Sequence, residues 1–329
     1  MAAVCTRVVY RGPGDRVVTG RSMDWKLDVG TNLWSLPRGA QRHGQAGDRS
    51  LTWTSRYGSV VATGYDICST DGLNEAGLAA NLLWLAESEY PDDADAPSAV
   101  ALSLWAQYVL DTFATVAEAV AALTAAPLSV RTTGVPGQDR LATLHLSMSD
   151  RTGDSAIVEY LGGRQVIHHD PAYQVMTNSP TFDQQLAVNE YWRQIGGTVM
   201  LPGTNRAADR FVRASYYIDA IPRTDDPFDA MAGVLSVVRN VSVPYGIATP
   251  DEPNISSTRW RTAADHRDLR YVFESALSPN TFWVELGRLD LSEGAPTRRL
   301  SLGEGGRTVY AGDASASFED AAPFTFLSV

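Results

Sequence analysis

The chain has 329 residues, enough to bury a large core as one big domain or as two small ones. Hydrophobic residues make up 44% and charged residues 20%, the balance of a soluble globular protein. With 27 Lys+Arg against 38 Asp+Glu the net charge is −11, and no basic run offers a local exception, which argues against nucleic acid as a partner.

No stretch reaches the roughly 18–20 continuous apolar residues that span a bilayer. The N-terminus shows no basic segment followed by an apolar one, so a cytoplasmic location is expected. In that reducing compartment Cys5 and Cys68 are expected to stay free thiols.

Residues 5–90 read as a series of hairpins. TRVVY is β-rich, GPGD supplies a turn, and RVVTGRSMDW resumes the strand. SLTWTSR and SVVATGYD repeat the pattern around an Arg-Tyr-Gly turn, and GLAANLLWL suits a strand covered on both faces. EYPDDADAPS (89–98) is a Pro/Asp-rich crossing between layers. Residues 99–126 carry apolar positions at three- and four-residue spacing and predict two packed helices, the second capped by Thr115 with Glu118 at capping-box spacing.

Strand signals return at LATLHLSMS, DSAIVEYLGG, GRQVIHH and AYQVMTNSP. Helical signals follow over 181–195, 207–221 and 229–241, and the last ninety residues are β-like again at TRWRTAADHRD, YVFESAL, TFWVEL and RRLSLG. Blocks of strands and helices in this order predict an α+β protein: two antiparallel sheets packed face to face with helices outside.

Chemistry centres on Cys5. A free thiol is mostly protonated at neutral pH and needs a base to become a nucleophile. A cysteine at a chain terminus has one in its own α-amino group, which for Cys5 requires loss of Met1-Ala2-Ala3-Val4. Otherwise Cys5 is a small buried hydrophobe at a strand start. Arg21 and Asp24, three apart in TGRSMDW, lie on opposite faces of a regular strand; a bulge or strand end between them would let both face Cys5. There a carboxylate would hold the α-ammonium and the arginine would favour the thiolate. Without such a bulge they form an ordinary surface ion pair.

CTRVVY followed by GRSMDW, NEAGLAANLLWLAESEY, VMTNSPTFDQQL and LPGTNRAADRFVRASYY closely resembles the linear amide C–N hydrolases, the family of penicillin V acylases and choloylglycine (conjugated bile acid) hydrolases. The resemblance spans residues 5 to about 220 in separate ordered blocks. It implies an N-terminal nucleophile hydrolase with a four-layer αββα sandwich, a homotetramer, no cofactor and no metal. By this resemblance Cys5 is the processed nucleophile, Arg21 and Asp24 flank it, Asn178 holds the oxyanion and Asn81 is a second oxyanion donor. Arg210 supports the polar network, with Arg213 the competing choice.

Family members made in the cytoplasm usually begin Met-Cys, and exported ones carry a longer signal; MAAV is neither. Either the start is misplaced, with Val4 at the initiation codon, or a very short propeptide removes itself. The mature domain is then 5–329.

Trp25 and Trp84, beside Asp24 and Asn81, are expected either to wall an apolar acyl pocket or to be core aromatics. As a pocket they resemble the penicillin V acylase branch, including relatives that cleave long-chain acyl-homoserine lactones. A rigid steroid needs a wider cleft. The expected substrate is a small N-acyl amide with an apolar acyl side, with bile acid deconjugation the alternative. A reading of another class is an acyl-amide binding protein with Cys5 left unprocessed. His168-His169-Asp170 does not make a metal site, because adjacent strand side chains point to opposite faces. His43, His145 and His266 are expected to be structural or solvated, and Cys68 to pack in the core.

Overall fold

The computed structural model describes residues 5–91, 98–248, 256–278 and 280–329. Strand β1 (Thr6–Arg11) and strand β2 (Val17–Trp25) form the hairpin expected around GPGD, whose turn places Gly14 and Asp15 at φ 60° and 56°. Among the described residues this hairpin joins a seven-stranded sheet in the order Val175–Met176, β1, β2, Ser257–Asp265, Arg270–Ser275, Thr281–Glu285, Gly312–Asp313. A nine-stranded sheet faces it. Its order is Arg164–His169, Ser155–Leu161, Leu144–Asp150, Leu78–Trp84, Cys68–Asn74, Ser59–Gly64, Leu33–Leu36, Arg298–Leu300, Glu319–Asp320.

Helices α1 (Trp105–Thr112) and α2 (Val116–Ala125) cover the outer face of the nine-stranded sheet. After α3 (Phe182–Ile195), helices α4 (Ala207–Ala220) and α5 (Pro227–Asn240) cover the seven-stranded one, with α3 packed on α4. This is the αββα order of an α+β sandwich. Each element follows from local chemistry. Thr115 caps α2 by accepting the Glu118 N–H, and Asp226 caps α5 ahead of Pro227.

Alternation along the strands sets the layers. In Leu78–Trp84, Ala79 and Leu83 enter the core shared with β1, β2 and α5, while Leu78, Ala80 and Leu82 enter the core under α1 and α2. Both faces are covered, which is why this segment reads as a continuous apolar run. Gly20 in β2 lets α5 approach closely: a Cβ there would meet Val234 and Val238 at 2.5 and 2.8 Å.

Two expectations differ in detail. Residues 99–101 are a short strand pairing in parallel with Ser129–Arg131, so the helical run starts later than its periodicity suggests. Thr52–Thr54 pairs with Gln41–His43 in a separate ribbon instead of joining a main sheet. The 89–98 crossing lies largely outside the described residues.

Candidate active site

Cys5 sits immediately before β1 and is 2% exposed. Odd residues of the hairpin face the opposite sheet: Arg7 donates to the Met148 carbonyl and Arg21 to the Leu82 carbonyl, at 2.9 and 2.8 Å. Even residues face the helices. There Asp24 accepts from Thr258 Oγ1 and lies 3.8 Å from the Arg210 guanidinium of α4. Arg21 and Asp24 therefore lie on opposite faces, as a regular strand requires. The bulge is in the partner strand, between Thr258 and Trp260. Both groups still act on Cys5, which stands just ahead of β1: Arg21 favours its thiolate and Asp24 opposes it. Its Sγ lies 3.9 Å from the Asp24 carbonyl oxygen, a weak S–H donor contact.

Asn178 follows the short strand Val175–Met176. Its Oδ1 accepts from the Cys5 backbone nitrogen and from Arg210 Nη2 (3.0 Å), while Nδ2 donates to the Trp84 carbonyl (2.6 Å). A side-chain amide carries two N–H groups, so one donor remains beyond the Trp84 bond. Arg210 is fully buried and donates to the Cys5 carbonyl at 2.7 Å and to Thr6 Oγ1. Arg213 instead donates to the carbonyls of Pro202 and Thr204, so of the two arginines Arg210 is the one at the cysteine.

Burial pushes the Cys5 thiol above its ordinary range; Arg21 opposes that and Asp24 adds to it. Burial also raises Asp24 to about 6, against the pull of Arg210, Thr258 and Arg21. Arg210 is lowered by the same burial, with Asp24 opposing. The resting cysteine is thus a neutral thiol that needs a base before it can attack.

Asn81 departs from expectation. Its amide donates to Asp71 Oδ2 at 2.7 Å and its carbonyl accepts from Ser147. Asp71 in turn accepts from Tyr271 and lies 3.9 Å from Arg21 Nη1, so Asn81 braces the arginine's neighbour and does not face the cysteine. The odd position of Asn81 in its strand sends it into the inter-sheet layer, below the strand end where Cys5 lies.

Beside Cys5 opens an apolar cavity of about 860 Å³, counting the space at its mouth. Trp25 and Trp84 both line it, with ring centroids 5.5 Å apart and planes tilted 45°. Met23, Val135, Leu144 and Leu327 complete much of the apolar wall. Cys68 lines it as well, its thiol raised to about 12 by burial. The Arg140 guanidinium rests 4.1 Å over Trp84 and 5.2 Å over Trp25. Leu327 comes from the C-terminal segment, which is tied down by Leu327 N–H to the Ile67 carbonyl and by Ser103 Oγ to the Leu327 carbonyl. Neither Arg140 nor Leu327 carries a sequence signal: each stands in an irregular segment far along the chain from Cys5.

His168 and His169 point apart, toward Glu159 and Asp154. Among the described residues no group of three His, Cys, Asp or Glu side chains gathers as metal ligands, and no helix is long and apolar enough to cross a membrane.

Comparison with known proteins agrees with this arrangement. The profile of the linear amide C-N hydrolases, choloylglycine hydrolase family, matches residues 5–298. Penicillin V acylase of Pectobacterium atrosepticum is 54% identical over 99% of this chain and 93% of its own. The bile salt hydrolase/transferase of Clostridium perfringens is 26% identical over 78% and 84%. Among solved structures, penicillin V acylase from Agrobacterium tumefaciens superposes with a TM-score of 0.92 at 60% identity, covering 99% of this chain and all (100%) of that one. The conjugated bile acid hydrolase from Clostridium perfringens shares the fold, with a TM-score of 0.77 at 20% identity over 94% and 98%. The chain belongs to the linear amide C–N hydrolases of the choloylglycine hydrolase family and is a hydrolase of non-peptide carbon–nitrogen bonds.

Proposed function

We propose that this enzyme hydrolyses small N-acyl amides with an apolar acyl group, penicillin V first among them and long-chain acyl-homoserine lactones second, through a thioester on Cys5. The observation that carries the reading is the buried Cys5 at the edge of a cavity walled by Trp25 and Trp84, a shape that suits an aromatic ring or a fatty chain better than a rigid steroid. The relatives of highest identity named above are penicillin V acylases.

Removal of residues 1–4 makes Cys5 the N-terminus of a mature catalytic domain, 5–329. Its freed α-amine, held near Asn178 Oδ1, takes the thiol proton as Sγ attacks the amide carbonyl carbon. The negative charge that develops on the carbonyl oxygen is met by the remaining Asn178 Nδ2 donor. Collapse breaks the C–N bond, and the α-ammonium gives its proton to the departing amine. The amine base then activates water to hydrolyse the thioester, releasing the carboxylic acid and restoring the thiol. Arg21 favours the thiolate from one face of the hairpin, and Asp24 balances Arg210 on the other. Asn81 has no place in this scheme.

A homotetramer fits the exposed Tyr191, Val199 and Met200 around the end of α3, 61%, 79% and 54% accessible, and sedimentation measures it. The two unpaired thiols fit a cytoplasmic enzyme. The test of function is turnover of penicillin V, glycocholate and a long-chain acyl-homoserine lactone by wild type and C5A. The expected order of kcat/KM is as written for the two proposed substrates, with glycocholate last and C5A inactive. Undetectable hydrolysis of penicillin V contradicts the proposal.

A further inference from the structure

Behind Asn178 lies a set of buried titratable groups that the chemistry above does not use. His145 on strand Leu144–Asp150 and Glu159 on strand Ser155–Leu161 are both 0% exposed. His145 Nε2 lies 2.8 Å from the Thr177 carbonyl oxygen, the peptide group joining Thr177 to Asn178. His145 Nδ1 lies 3.2 Å from Glu159 Oε1. Glu159 also accepts the Phe182 N–H at the start of α3 (3.1 and 3.3 Å), and its Oε2 lies 3.3 Å from His168 Nε2. Turn 177–182 is thus gripped at both ends by one carboxylate and its histidine.

The protons of this set follow from acceptor chemistry. A carbonyl oxygen only accepts, so His145 Nε2 carries hydrogen. Glu159 receives the Phe182 amide and faces both histidines, an arrangement that favours the ionised carboxylate. Burial alone would raise Glu159, but the hydrogen bonds from His145 and His168 outweigh it and hold the group down at about 2. Glu159 already accepts the Phe182 amide and faces His168 Nε2, so a hydrogen on His145 Nδ1 completes the contact with its oxygen.

We propose that His145 and Glu159 form a buried imidazolium–carboxylate pair that positions Asn178 against the Cys5 nitrogen. They are positioning residues, acting on the reaction only through Asn178, and the inference rests on the role assigned to Asn178 above. Among the described residues His168 of the neighbouring strand also faces Glu159, and Asp183 of α3, 75% exposed, lies 3.5 Å from His168 Nδ1. Gln185 of α3 completes the grip, donating to the carbonyls of Asn178 and Pro180 and accepting from Thr177 Oγ1. Removing a buried partner leaves the other charge uncompensated and lets the turn shift. A misplacement on the order of 1 Å in such a site costs about a hundredfold in rate.

Two measurements test this. In wild-type protein labelled with ¹⁵N, with H145Q to assign the signals, both His145 ring nitrogens are expected at protonated shifts at neutral pH; a neutral ring overturns the ion pair. In E159Q, kcat for penicillin V is expected to fall about a hundredfold with KM kept within about twofold, because the acyl cavity is untouched while the oxyanion donor moves. A wild-type kcat in folded E159Q overturns the positioning role, as does an equal rise in KM that carries the whole loss. Should E159Q fail to fold, the ring protonation of wild type decides the pair alone. Absence of amide turnover in wild type would sink the functional reading while leaving the histidine spectrum to judge this one.

Discussion

Asp24 couples stability and activity to pH in opposite directions. Its carboxyl is 0% exposed, and burial raises it from 3.8 to about 6 in spite of Arg210, Thr258 and Arg21. Between about pH 4 and 6 the folded protein therefore keeps a proton here that the unfolded chain has released. The stability linked to Asp24 is fully present below about pH 4 and is lost as pH rises through 6. At about 1.4 kcal/mol for each pH unit, the loss is about 3 kcal/mol.

Urea unfolding of wild type and D24N at about pH 4 and pH 7 isolates this group, because every other titration is common to both proteins. The stability of wild type relative to D24N should drop by about 3 kcal/mol on going from the lower pH to the higher one. Activity runs the other way. Protonation removes the charge that balances Arg210, so below about pH 6 kcat/KM should decline more steeply than protonation of the α-amine base alone makes it, in protein that is not unfolding. A difference between the two proteins that ignores pH would refute the dominance of burial. A difference that grows toward neutral pH would show that the Arg210 pair outweighs it.

Asn178→Ala should lower kcat on penicillin V by roughly 100- to 1,000-fold, the range seen when an oxyanion donor is deleted; a loss under about tenfold would take Asn178 out of that role. Gly20→Ala puts a methyl 2.5 Å from Val234 and 2.8 Å from Val238, and the overpacking should cost about 1–3 kcal/mol in thermal unfolding. An unchanged midpoint would mean that α5 slides on the sheet. Leu327→Trp should fill the cavity wall and shift kcat/KM from long-chain toward short-chain acyl-homoserine lactones; an unaltered ratio would place the acyl chain elsewhere.

The hairpin carrying the site was legible because GPGD and its flanking β-branched runs encode it locally, and the apolar run at 78–84 announced a strand covered on both faces. Cys5, Arg21, Asp24 and Asn178 were legible through ordered sequence blocks, and the structure brings all four together with Arg210. Spacing alone left the faces of Arg21 and Asp24 open, since only the fold shows that β2 runs without a bulge between them and that the bulge lies in the partner strand, between Thr258 and Trp260. Asn81 was placed by its position in a sequence block, and its hydrogen bond to Asp71 on the neighbouring strand is visible only in the fold. Leu327 and the His145–Glu159 pair were invisible for one reason. Their contacts join segments with no shared local pattern, and only the closed sandwich puts them beside Cys5 and Asn178.

The central claim is that Cys5 becomes the N-terminus and carries the acyl group. Intact-mass spectrometry of the purified wild-type protein, alone and rapidly acid-quenched during turnover of penicillin V, tests it directly. The account predicts a chain beginning at Cys5 and, in the quenched sample, a phenoxyacetyl adduct on the peptide containing that residue. A mature chain that retains Val4 and still turns over substrate, or an adduct on Cys68 instead, would contradict it.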